Sequence, residues 1–144
     1  MIKIICVGKL KEKYLIDMIN DYYNRIKKYV KIEIIEIKDT NIEEESKIIL
    51  NKIKNDYIIL LDRLGKEYSS LDLKDKILSL QNYSRKDISF VIGSSMGVSE
   101  KVKTISDEII SFSHLTFPHG LFRAILLEQI YRSFKLINNE TYHK

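Results

Sequence analysis

Residues 88–97 read Ile88-Ser89-Phe90-Val91-Ile92-Gly93-Ser94-Ser95-Met96-Gly97, a short apolar run that stops on a glycine-bounded turn. Runs of this length, closed by turn residues and too short for a helix, are the signature of a buried strand. The same pattern recurs on either side. Ile2–Val7 is almost continuously apolar and reads as a strand buried on both faces, Ile32–Ile37 as a second, and Tyr57–Leu61, ending at Asp62, as a third.

Helical periodicity fills the intervals. From Lys11 to Val30 the apolar residues fall in pairs four apart, Tyr14/Leu15, Met18/Ile19 and Tyr22/Tyr23, then Ile26 and Tyr29/Val30. That is the stripe of an amphipathic helix. Asn41 is placed to cap a helix running to about Asn55, with Glu43, Glu44 and Glu45 near its positive end. The segment DRLGKEYSS reads as a loop closed by a capping residue, followed by a helix to about Tyr83. A weaker helix, about Ser99 to Glu108, leads to a short run, Ser113–Phe117, ending at the only proline, Pro118. Proline suits a first helical turn, and Ser113 and Thr116 are possible caps. The last helix spans roughly His119–Ile137, with an apolar face broad enough for burial on more than one side.

Strand and helix thus alternate about five times. Parallel neighbours require a crossover connection, so the expected class is α/β, a mostly parallel sheet with helices on both faces. The 144 residues carry no linker, repeat or low-complexity stretch, which makes residues 1–144 one domain. No apolar run approaches the roughly 18–20 residues of a membrane helix, and the opening MIKIICVGKLK turns charged too early for a signal peptide. A cytoplasmic protein with no membrane partner is expected. Cys6 stands alone and three His are scattered, so neither a disulfide nor a metal site is expected.

In sheets of this kind the ligand crevice lies at the carboxyl ends of the strands. Gly8 alone follows the first strand, where a dinucleotide site or a common methyltransferase would need a glycine-rich turn. A phosphate-cradling GxxxxGK[ST] loop is absent. A phosphoacceptor signalling domain at Asp62 would also want an acidic pair after strand one, and Val7-Gly8-Lys9 has none. Gly93 and Gly97 bracket a turn that could let a ligand lie against backbone, although many folds carry such a turn. The chain's end is more specific: SHLTFPHGLFRAILLEQIYRSFKLINNETYHK concentrates His119, Arg123, Arg132, Tyr142 and His143 around one helix and its tail. Arg132 can pair with Glu128 four residues before it, whereas Arg123 has no acidic partner at that spacing.

FVIGSSMG, then LTFPHGLFRAILLEQIYR, then a terminal TYHK closely resemble the RlmH family, the large-subunit ribosomal RNA pseudouridine N3-methyltransferases of the SPOUT superfamily. The opening MIKIICVGKLKEKY, the LLDRLGK segment and the overall length agree, so the likeness covers the whole chain. The resemblance implies a C-terminal trefoil knot, a homodimer, and S-adenosylmethionine held by Leu61, by the turn at Gly93 and Ser94, and along Ser113, His114, Leu115, Thr116, Phe117 and Pro118. It further implies large-subunit rRNA within the ribosome as substrate; the acceptor base must leave its stack, which makes a hairpin loop the expected target. Two departures stand out. Ser94 occupies the place of a usual second glycine, and Thr141 and Lys144 flank the Tyr-His pair where proline and arginine are commoner.

Methylation of N3 requires its proton to leave, which calls for a base or a water route. Arg132, Tyr142 and His143 are the expected catalytic group, with His119, Arg123 and Lys144 at the substrate. Residues 1–31 hold eight Lys/Arg against three acidic residues and residues 119–144 four against two, while the stretch between is net negative by three. Lys27, Lys28 and Lys31 are therefore either an ordinary solvated face or an RNA contact. A ribosome-associated binding module without catalysis is the competing class.

Overall fold

The computed structural model describes residues 1–142. Its elements follow one another as β1 (Ile2–Val7), α1 (Lys13–Ile26), β2 (Ile32–Ile37), α2 (Ile42–Ile53), β3 (Tyr57–Glu67), α3 (Ser70–Tyr83), β4 (Ile88–Ile92), α4 (Glu100–Ile105), β5 (Glu108–Ser111) and α5 (His119–Ile137). The strands form one sheet in the order β2-β1-β4-β3-β5, every pairing parallel.

Alternation along each strand sends side chains to two faces, and both are covered. Ile4, Cys6, Ile59, Phe90, Ile92 and Ile110 pack with residues of α1, α3 and α5. Ile5, Val7, Ile58, Leu60 and Val91 pack beneath α2 and α4. The paired apolar stripe of α1 buries Leu15, Ile19 and Ile26. The broad face of α5 buries Ala124, Leu126, Leu127, Ile130 and Phe134 because it lies between α1 and α3. Asn41 caps α2 as expected, accepting from the Glu44 N–H at 3.0 Å. Ser69 and Asp72 close a capping box on α3.

Three expectations are corrected. DRLGKEY is not a loop: β3 continues to Glu67, shifting register against β5 between Leu61 and Lys66. Gly65 permits this, since a Cβ there would stand 2.7 Å from the Ile109 backbone. The run Ser113–Phe117 is not a strand; the fifth strand precedes it and takes Glu108 away from α4, whose last residue is Ile105. Neither Ser113 nor Thr116 caps α5. Pro118 holds that position with no side-chain cap, one residue before the helix.

Strand β5 lies at the sheet edge, yet α5 covers the middle, so residues 112–118 cross back over the strand ends. Glu108 anchors the start of β5, the strand that leads into this crossing. It accepts from the Tyr57 hydroxyl at 2.8 Å and the Tyr68 hydroxyl at 2.5 Å, and pairs with Lys76 at 2.8 Å. Burial opposes its charge, but Lys76 and the two phenols hold its carboxyl below the usual range. A carboxylate whose folded pKa is depressed stabilises above its unfolded pKa and loses that contribution as pH falls. Glu108→Gln is accordingly expected to lower stability at pH 7 by about 1–2 kcal/mol. The difference should shrink as pH falls below the unfolded carboxyl value of about 4 and go on shrinking through the lower folded one, read by urea unfolding across pH.

Candidate active site

The parallel arrangement brings the carboxyl ends of β3 and β4 to one edge, where the crossing segment roofs them. A cleft of about 740 Å3 lies between. Leu61, Gly93, Ser94, Ser113, Leu115, Thr116, Phe117, Pro118 and His119 all line it. His114 does not: its side chain turns outward, with Nε2 3.3 Å from Glu67 Oε1. The sequence reading missed Arg63, Met96, Phe112 and Phe122. The two phenylalanines follow core periodicity and gave no separate signal. Phe122 stacks on Phe117 at 6.1 Å and lies 5.7 Å from Phe112, so one residue of α5 ties down both ends of the roof.

The floor is a compact backbone turn. The Gly97 N–H donates to the Ser94 carbonyl at 2.8 Å, while a Cβ on Gly93 would meet Val98 Cγ1 at 2.7 Å and the Gly97 carbonyl oxygen at 2.8 Å. Ser94 Oγ is drawn into this turn, accepting from the Met96 N–H at 3.3 Å. A serine is therefore accommodated without crowding the cleft. The mouth is apolar and open, with Leu64, Met96 and Leu115 each about three-quarters or two-thirds exposed (76%, 77% and 69%).

The basic and aromatic residues of the chain's end do not form one group. Arg123 is 1% exposed. Its guanidinium lies 2.5 Å from Glu36 Oε2 and donates to the Gly8 carbonyl at 3.0 Å, so it faces inward, and Nε has no partner among the described residues. It pins the start of α5 to the ends of β1 and β2. His119 sits above Gly8, its Nε2 buried and without a partner among the described residues. Burial, then the nearby Arg123, pushes its pKa down, which leaves the ring neutral at pH 7. Cys6 is buried, and its thiol is pushed up to about 11, so no thiolate is available.

Arg132 lies thirteen residues beyond His119, about 20 Å along the helix. The expected pair with Glu128 is made, and the Arg132 guanidinium also lies 4.8 Å from the Tyr142 ring centre. Tyr142 packs edge-on against Tyr131 at 5.0 Å and donates to Glu128 at 3.2 Å. Burial, then Tyr22 and Glu128, raises its pKa, which keeps the phenol protonated. His143 and Lys144 lie outside the described residues. Asp62 lines the cleft but accepts from the Leu64 N–H at 2.9 Å, and β1, one strand removed from β3, is followed by Gly8 and Lys9, not by acids.

The sequence matches the family described as "Predicted SPOUT methyltransferase" over residues 1–143. The chain belongs to the SPOUT methyltransferase family. Ribosomal RNA large subunit methyltransferase H of Fusobacterium nucleatum is 46% identical, aligned over 99% of each chain. The fold agrees with solved SPOUT-type structures. A methylase-family protein of Haemophilus influenzae superposes with a TM-score of 0.63 at 9% identity, covering 99% of this chain and 70% of that one. The SpoU methyltransferase AviRb of Streptomyces viridochromogenes, solved in complex with AdoMet, gives 0.50 at 8%, covering 92% and 57%. In this SPOUT chain the glycine turn and the roof converge on one cleft.

Two substitutions separate the supports of the site. Gly93→Ala overpacks the floor and is expected to cost about 1–3 kcal/mol by thermal unfolding. Arg123→Met leaves Glu36 and the Gly8 carbonyl without their cation. Because Glu36 keeps access to water, the expected loss is about 2–3 kcal/mol by urea unfolding.

Proposed function

We propose that this SPOUT protein methylates N3 of a pseudouridine in a hairpin loop of large-subunit ribosomal RNA, in the cytoplasm and on the assembled ribosome, with S-adenosylmethionine as donor. The observation that carries the reading is the cleft. Its walls are the segments at Leu61, Gly93 and Ser113–Pro118 on which the family resemblance places the donor. A floor that a Cβ would fill, with an apolar rim at Met96 and Leu115, suits a flat, partly apolar ligand held mainly through backbone. The name of the Fusobacterium relative supports the RNA class, and the AdoMet complex of AviRb supports the donor.

Bound there, S-adenosylmethionine supplies an electrophilic methyl group on a sulfonium, and most of the acceleration can come from holding acceptor and donor in register. Leu61, the Gly93–Gly97 turn and the roof would hold it. Phe117 and Phe122 keep water from the roof side. Tyr142, kept protonated, serves as a hydrogen-bond donor and not as the base; of the two histidines that could take the N3 proton, His119 has a buried Nε2, and the role is assigned to His143. Arg132 orients Tyr142 from below while sharing Glu128 with it. The acceptor ring has to leave its stack to enter the cleft, which an RNA loop makes less costly than a duplex.

Arg132 and Tyr142 lie far along α5 from the cleft of their own chain, which supports a homodimer in which one protomer's tail reaches its partner's cleft. An exposed aromatic marks a face for this contact: Tyr14 on α1 is 72% exposed and lines a groove of mixed polarity with Leu121 of α5. The threading of the C-terminal part into a trefoil knot belongs to the same proposal. Its support is the return of residues 112–118 across strands that precede them in the chain.

Ribosomes from a strain lacking the protein, incubated with labelled donor, should take up label in large-subunit RNA. His143→Ala should slow transfer by about 10²–10⁴-fold while binding the donor normally. Absence of label with the unmodified protein overturns the reading, and equal label with the variant removes His143 from its role.

A further inference from the structure

A second cavity, of about 610 Å3, opens at the ends of β1 and β2. It shares Ser94, Ser95 and His119 with the cleft, so the two are neighbours across one wall. Lys9, Lys11 and Lys38 all line it and are exposed. Among the described residues none of the three makes an ion pair, unlike Lys3, Lys13, Lys47, Lys76 and Lys135. Two acids share the cavity, Glu36 and Asp39. Glu36 is already spent on Arg123 and on the Leu10 N–H, 3.3 Å away. Asp39 alone opposes the lysines and leaves a surplus of two positive charges.

We propose that this cavity binds a backbone phosphate of the RNA whose base enters the adjoining cleft, through Lys9, Lys11 and Lys38. The inference rests on the RNA reading above. Among the described residues His119 is the one aromatic ring lining the cavity, and it is partly buried over Gly8, so no fully exposed ring is offered for stacking a base. Flexible ammonium groups around small hydroxyl side chains match a phosphodiester instead. Its position follows from covalent geometry. A base inserted beside Ser94 and His119 carries its own sugar and phosphates with it, and the shared wall is where the chain emerges.

The basic residues that stand out in the sequence are not these. Lys27, Lys28 and Lys31 lie at the opposite edge of the sheet, before the start of β2, where the Lys31 carbonyl accepts from the Ile2 N–H. One strand length of about 20 Å separates them from the cleft. Lys9 and Lys38 each lie just past the carboxyl end of a strand, and Lys11 follows on the same turn.

The test compares the unmodified protein with K9A/K11A/K38A and with K9R/K11R/K38R. Methyl transfer is measured to large ribosomal subunits from a strain lacking the protein. In parallel, binding of a hairpin-loop RNA oligonucleotide is titrated between roughly 50 and 200 mM salt. The alanine variant should raise KM for the subunits about tenfold, weaken oligonucleotide binding, and flatten the log–log salt dependence by about one. The arginine variant should behave as the unmodified protein, and the affinity for S-adenosylmethionine should stay within about twofold in all three. Unchanged KM, affinity and salt slope in the alanine variant overturn the phosphate site while leaving the enzyme reading intact. A raised KM with unchanged oligonucleotide binding also overturns it, because the lysines would then be meeting ribosomal protein. An unmodified protein that transfers no label sinks the enzyme reading, and the oligonucleotide titration still decides the lysines.

Discussion

A guanidinium buried at 1% exposure can persist only if its charge is met, and the way Arg123 is met organises the whole ligand-binding edge. Glu36 at the end of β2 and the Gly8 carbonyl at the end of β1 converge on it from the sheet, while Arg123 itself belongs to the first turns of α5. That contact fixes where α5 begins. With the helix start fixed, His119 is held over Gly8, Phe122 is held against Phe112 and Phe117, and the roof between β5 and α5 has a single place to lie. The same contact neutralises Glu36, which frees the neighbouring lysines from an acidic partner. A residue that in sequence looks like an outward-facing RNA contact is thus the pin that shapes both cavities.

The parallel sheet supplies the rest. Because every strand runs the same way, the turns after β1 and β4 and the irregular stretch of β3 beyond Leu61 gather at one edge, and the chain must cross them to bring α5 from the sheet's margin to its centre. A cleft made in this manner is lined by turns and by the edges of apolar residues. Few of its side chains carry chemical function. This is why Ser94 can replace a glycine there, with its hydroxyl taken up by its own turn.

Helix α5 distributes function by its length. Its first turns belong to the cleft, whereas its last turns carry Arg132, Glu128 and the packing for Tyr142. A rigid helix holds these two groups about 20 Å apart within one protomer. Charge is divided in the same sense. The lysines near the cleft come from strand ends, not from the conspicuous cluster after α1.

Much was legible in the residues alone. Strands β1, β2 and β4, the stripe of α1, the Asn41 cap and the breadth of α5 depend on local periodicity and local hydrogen bonds, which sequence states directly. So does the glycine turn at Gly93, whose need for a missing Cβ is a backbone matter. The extension of β3 through Gly65 and the true place of β5 could not be read, because both depend on which strand becomes the neighbour. The burial of Arg123 could not be read for the same reason: its partners, Glu36 and Gly8, are distant in sequence and adjacent only after the sheet forms. Local pattern determined the elements, and long-range pairing alone decided which charges are buried, which stay free, and which turns face one another across the cleft.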